Sequence, residues 1–186
     1  MKDTVASKFA YAAALFFVFG MVTIITGVQN EYEGSPPPSV IAYVFVGLVF
    51  HFALLPVISA LPAPSWAKGS GYTWVVVDNM LLMLTLYSTG EEIIAPLRWG
   101  IHLATATWIF GASLTQQGAS RWIGFTVALG MSVASLGGAF DEAALSLLMR
   151  VAGPFLIVWL IMAGVRLGKS EAAQDITSPQ DVRNIA

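Results

Sequence analysis

Apolar residues run through this chain in stretches of about 20, each closed by a short polar, glycine-rich or proline-rich break. That is the length a helix needs to cross a bilayer core. Six such stretches are readable, at 7–28, 39–62, 72–89, 93–114, 121–139 and 143–168. The breaks are QNEYEGSPPPS, APSWAKGSG, TGEE, TQQGAS and FDEA, so consecutive helices are expected to reverse in tight hairpins. Within lipid every backbone N–H and C=O must be satisfied inside the chain, which makes these spans helices and not strands. The expected fold is an all-α integral membrane bundle of six transmembrane helices over residues 1–169, with a flexible cytoplasmic tail at 170–186 where large apolar residues give out. The run from Phe9 to Val28 reads as the first span and not as a secretory leader, because no small-residue cleavage site follows it in VQNEYEG.

Composition agrees with a membrane chain. Of 186 residues, 56% are hydrophobic and 11% charged, against roughly 25% charged in soluble domains, and the mean hydropathy is +0.73. A net charge of -2 with no basic stripe gives no reason to expect nucleic acid as a partner. Cysteine is absent, which excludes disulfides, thiolate metal sites and a cysteine nucleophile. No H-E-x-x-H, G-x-S-x-G, phosphate loop or paired-aspartate motif is present, so membrane hydrolase chemistry has no support and no catalytic residue or protein metal site is assigned.

The basic residues orient the spans. Lys2 and Lys8 precede span one, Lys68 lies between spans two and three, Arg121 opens span five, and Arg166, Lys169 and Arg183 follow span six. The opposite loops carry Glu31, Glu33, Glu91, Glu92, Asp141 and Glu142 and no Lys or Arg. Both termini are therefore expected in the cytoplasm of a cell with this chain in its inner (plasma) membrane. Trp66, Tyr72, Trp74 and Trp122 fall at the expected inner boundary, where amphipathic rings belong. Gly130, Ala134 and Gly138, and likewise Gly100 and Ala104, recur every four residues and are expected to let helices approach closely. Pro56 and Pro154 are expected to kink spans two and six.

Against this background a few polar residues stand out. Arg98 and Arg150 lie roughly 7.5 Å and 10 Å below the outer boundary. Each is within snorkelling reach of the headgroups or of the vestibule acids Glu91, Glu92, Asp141 and Glu142. His51 and His102, the only histidines, lie roughly 18 Å and 13 Å deep, near the midplane. Arg98 and His102 are four apart and share a helical face with Thr105. Asp78, with Asn79, is placed about 9 Å from the cytoplasmic end of span three with no local partner, as the inward mouth of a path. The hydroxyls of Thr73, Thr85, Thr105, Thr107 and Ser132 are expected to bond to their own helices.

PLRWGIHLATATW, residues 96–108, resembles the arginine-aromatic helix that lines the chromophore of microbial rhodopsins. The resemblance covers one helix. Six spans replace seven, Ile101 stands where a counterion carboxylate would be expected, and span six has no mid-helix lysine, so a retinal Schiff base is excluded. Three readings of the polar set stay open. The first is a path for protons, ions or a small solute using His51, Asp78, Asn79, Arg98, His102, Thr105 and Arg150. The second is haem b held axially by His51 and His102 with Arg98 near a propionate. The third is a structural or assembly subunit of a larger membrane complex. The bilayer is the expected partner, with a homo-oligomer or larger complex open.

Overall fold

The computed structural model describes residues 2–25, 32, 34–87, 91–137 and 142–176, and the side chains of 2–4, 24–25, 91–93, 95, 142–150 and 170–176 lie outside that description. The described residues form six helices, α1 (Lys2–Ile25), α2 (Pro38–Ala60), α3 (Ser65–Leu84), α4 (Glu91–Leu114), α5 (Ala119–Gly137) and α6 (Glu142–Ile176), with one 3-10 turn at Thr85–Tyr87. Prolines set several of the ends. Pro38 opens α2, where its missing N–H is no loss. The Pro37 carbonyl there accepts from the N–H groups of Val40 and Ile41. The Pro64 carbonyl plays the same part for Ala67 and Lys68 at the start of α3. Between α4 and α5 the chain reverses through Gly118, whose φ of 63° is a left-handed conformation that glycine adopts freely.

The helices of the described residues overlap all six expected spans, but α1 begins five residues before the predicted start at 7 and α3 seven before the predicted start at 72. The break APSWAKGSG is therefore mostly helix. Its small residues are a packing face: a Cβ on Gly71 would press on Trp108 and Ile58, and one on Gly111 would meet Ala67 and Trp66. The Ser70 hydroxyl donates to the Ala104 carbonyl at 3.0 Å. Docking against α4 outweighs the weak intrinsic helix preference of Gly-Ser-Gly. At the other end of the chain α6 runs on past 169 to Ile176, and residues from 177 onward lie outside those described.

Each helix packs on its chain neighbours and α6 closes on α1, so the six form a ring. The α1–α6 seam is lined by small residues: Ala10 and Tyr11 lie against Gly164, and Ser7 against Gly168. The Ser7 hydroxyl donates across this seam to the Gly164 carbonyl at 2.7 Å. The middle of the ring is filled by Leu54, Ile58, Trp74, Trp108, Ile109, Met131, Trp159 and Leu160, all buried. The outside is apolar on every helix: Phe19, Phe45, Met80, Phe110, Leu129 and Ile161 are all exposed. Among the described residues, three helices contain a stretch long and apolar enough to cross a membrane, at Val5–Thr23, Pro38–Ala60 and Val151–Lys169. A chain with such helices and an outward apolar surface on all sides is built for lipid.

Of the small-residue stripes, Gly130 does approach Ala152 on α6, whereas a Cβ on Gly100 would meet nothing within 4 Å. Gly138 is outside the described residues. Among the boundary aromatics Trp66, Tyr72 and Trp122 are exposed, but Trp74 is buried in the core. It sits on the α3 face that also carries Gly71, Asp78 and Leu81, and that face turns inward.

Candidate functional site

Three helices each turn polar groups toward one another at one level of the ring. On α2 the buried positions Val44, His51, Leu54 and Ile58 share a face. On α3, Gly71, Trp74, Asp78, Leu81 and Leu82 do the same. Spacings of three and four keep such residues on one side of a helix, so the apolar members drive burial and carry His51 and Asp78 in with them.

The Asp78 carboxylate is the centre of the cluster. Its Oδ1 accepts from Arg98 Nε at 3.2 Å, and its Oδ2 faces His51 Nε2 at 3.2 Å. The second ring nitrogen of His51, Nδ1, lies 2.8 Å from the Asn79 amide oxygen. His51 and Asp78 are 3% and 2% exposed, whereas the Arg98 side chain keeps 19% of its surface accessible. The Arg98 guanidinium also lies over the Tyr43 ring, 5.5 Å from its centroid, a cation–π contact that holds the charge on its apolar side. His102, one turn below Arg98 on α4, donates from Nδ1 to the Arg98 carbonyl, which leaves Nε2 as its free nitrogen. The Trp74 indole lies between the histidines, edge-on to the His51 ring at 5.0 Å and 6.4 Å from that of His102.

These contacts revise several expectations. Arg98 turns inward to Asp78 instead of snorkelling to the headgroups, because a carboxylate on the neighbouring helix is within reach and no bilayer defect is then required. Asp78, expected to lack a local partner, is paired from two neighbouring helices. With α3 starting at Ser65, it stands 13 residues along that helix, about 20 Å from the end that carries Lys68, and it has two partners. His51 has both nitrogens engaged, so it offers no lone pair to an axial iron. Thr85 and Thr107 bond to their own helices as expected, at Leu82 and Leu103. Thr105 does not: fully buried, its hydroxyl has no partner among the described residues. The cluster thus unites His51, Asp78, Asn79, Arg98 and His102, with Thr105 one turn further along α4. The side chains of Arg150, Glu91, Glu92 and Glu142, and Asp141 altogether, lie outside the described residues.

Tyr43 and Trp74 belong to the site without having been singled out for it. Their signal was spacing: Trp74 is one turn from Asp78, and Tyr43 is two turns and one residue from His51. The arrangement joins a fixed negative charge, a fixed positive charge and two imidazoles inside the ring. Imidazole is the side chain that exchanges a proton near neutral pH. Compared with family models, curated proteins and solved structures, the chain matches none of them.

Proposed function

We propose that this chain is a six-span protein of the inner membrane with both termini in the cytoplasm, and that its buried cluster takes up and passes on protons. One observation supports the reading above the rest: His51 stands between Asp78, which can only accept a hydrogen bond when ionised, and Asn79, whose amide can accept or donate. With the Asn79 oxygen toward Nδ1, both ring nitrogens donate and the ring is the imidazolium. With the amide rotated by half a turn its NH2 faces Nδ1, and the neutral ring fits equally well. The site therefore accommodates two states that differ by one proton without leaving a buried group unmatched. Arg98, whose side chain keeps 19% of its surface accessible, is the member of the cluster that water would reach.

The aromatic and aliphatic filling of the ring favours protons over larger ions or solutes, since a proton needs no bore. The haem reading loses its support with the lone pairs of His51. A structural subunit remains the second reading, favoured by the fact that Asp78, His51 and Arg98 already satisfy one another.

The topology is testable directly because the chain has no cysteine. Ser35→Cys is expected to react with an impermeant maleimide in intact cells, and Lys169→Cys only after the membrane is opened. The same side for both would sink the six-span reading. For function, proteoliposomes loaded with a pH-sensitive dye are expected to carry protons down an imposed gradient, and Asp78→Asn and His51→Gln are each expected to slow this by about tenfold or more. Flux equal to wild type in both variants would remove the proton-transfer reading and leave the structural one.

A further inference from the structure

The row along α4 that begins at Arg98 continues through His102, Thr105, Trp108 and Ser113 to Gln116, just past the helix end. Steps of three and four keep Arg98, His102, Thr105 and Trp108 near one side of α4, with Ser113 about 140° round from Trp108, and from Arg98 to Ser113 they cover about 22 Å of a core about 30 Å thick. Below the cluster this row and its neighbours hold donors with no hydrogen-bond partner among the described residues. The Thr105 hydroxyl, the Trp108 indole N–H and the Gln116 amide nitrogen are buried and unpartnered, as are the indole N–H groups of Trp74 and Trp159 beside them. Trp74 stacks on Trp108 and Trp108 meets Trp159 edge-on, so the three indoles are contiguous. An indole has a donor and no acceptor, so three neighbouring indoles cannot satisfy one another.

Buried donors are nearly always matched, and in a membrane interior an unmet one is costly. Five such donors, three on or just past α4 and two indoles beside it, call for acceptors other than the side chains described. Groups three and four apart on a helix are about 5–6 Å apart at Cβ, a gap that one water molecule bridges with two hydrogen bonds. We propose that a row of single water molecules lies along α4, held by Thr105, the Trp74 and Trp108 indoles and Gln116, and that it joins the Asp78 cluster to the end of the ring that carries Lys68. Its role as a proton route rests on the proton-transfer reading above. In that role each water accepts a proton from one neighbour and releases another to the next, so one proton enters at His102 and one leaves near Gln116 with no net change in the row. The indoles anchor water and do not relay.

Indole N–H resonances of the full chain in nanodiscs, labelled with nitrogen-15 at tryptophan, test this without reference to transport. Trp74 and Trp108 are expected to show water cross-peaks and to exchange with deuterium in minutes, as the exposed Trp66 and Trp122 do. In Thr105→Val, whose shape is conserved, exchange at Trp74 and Trp108 is expected to slow by about tenfold while Trp66 and Trp122 stay unchanged. Indoles of the wild type that stay protonated for hours without water cross-peaks would overturn the proposal whatever the flux. Hydrated indoles in a protein that carries no protons would uphold the water row and strike the proton-transfer reading alone.

Discussion

Asp78→Ala is expected to destabilise the folded protein by about 3–5 kcal/mol, the cost of breaking a buried ion pair from one side. The substitution leaves the Arg98 guanidinium beside Tyr43 with no counter-charge and removes the acceptor of His51 Nε2. Removing both charges together avoids that unpaired state, so the double variant Asp78→Ala/Arg98→Gln is expected to recover most of the loss. Unfolding titrations in mixed micelles on the two single variants and the double give the coupling directly. A loss under about 1 kcal/mol in the single variant would mean that the pair behaves as a surface pair does. The claim that the cluster locks α2, α3 and α4 together would then fail.

Gly124→Val is the second large effect, and it acts by volume alone. Gly124 on α5 faces α4 and α6, and a Cβ there would collide with the Ser113 hydroxyl and the Trp159 indole. Neither neighbour can yield cheaply: Ser113 donates to the Ile109 carbonyl, and Trp159 is fully buried with its ring against Trp108. Overpacking at such a site costs about 3 kcal/mol, the upper end of what inserted methylenes do. Gly100→Ala is the control. Its Cβ would meet nothing within 4 Å, so it is expected to be neutral or to stabilise by up to about 1 kcal/mol through helix preference. Thermal unfolding of the two variants that ranked them in the opposite order would contradict the packing described here.

The contrast between these glycines shows what spacing can and cannot reveal. Gly100 and Ala104 have the four-residue spacing of a packing stripe, yet Gly100 faces open space, while Gly71, Gly111 and Gly124 make the close approaches. Spacing tells which residues share a face but not which way the face points, because hydropathy does not fix helix rotation. The same ambiguity hid Trp74, which a position near the expected boundary suggested was an interface anchor and which rotation places against His51. It also hid the partner of Asp78. No residue close in sequence offers it a charge; Arg98 is 20 positions away and reaches it only because α4 packs on α3.

By itself the sequence determined that the chain is helical and suited to lipid, where the helices lie apart from the starts of α1 and α3 and the end of α6, and which few residues are costly enough in that setting to matter. Those properties follow from composition and from the one-dimensional alternation of apolar runs and breaks, since lipid demands that each segment satisfy its own backbone. Tertiary structure alone decided that Arg98 answers Asp78 instead of the headgroups, that His51 has both nitrogens engaged, and that Thr105, Trp74 and Trp108 are buried with no hydrogen-bond partner among the described residues. These are relations between helices. They depend on rotation and depth, which many sequences with the same hydropathy would set differently.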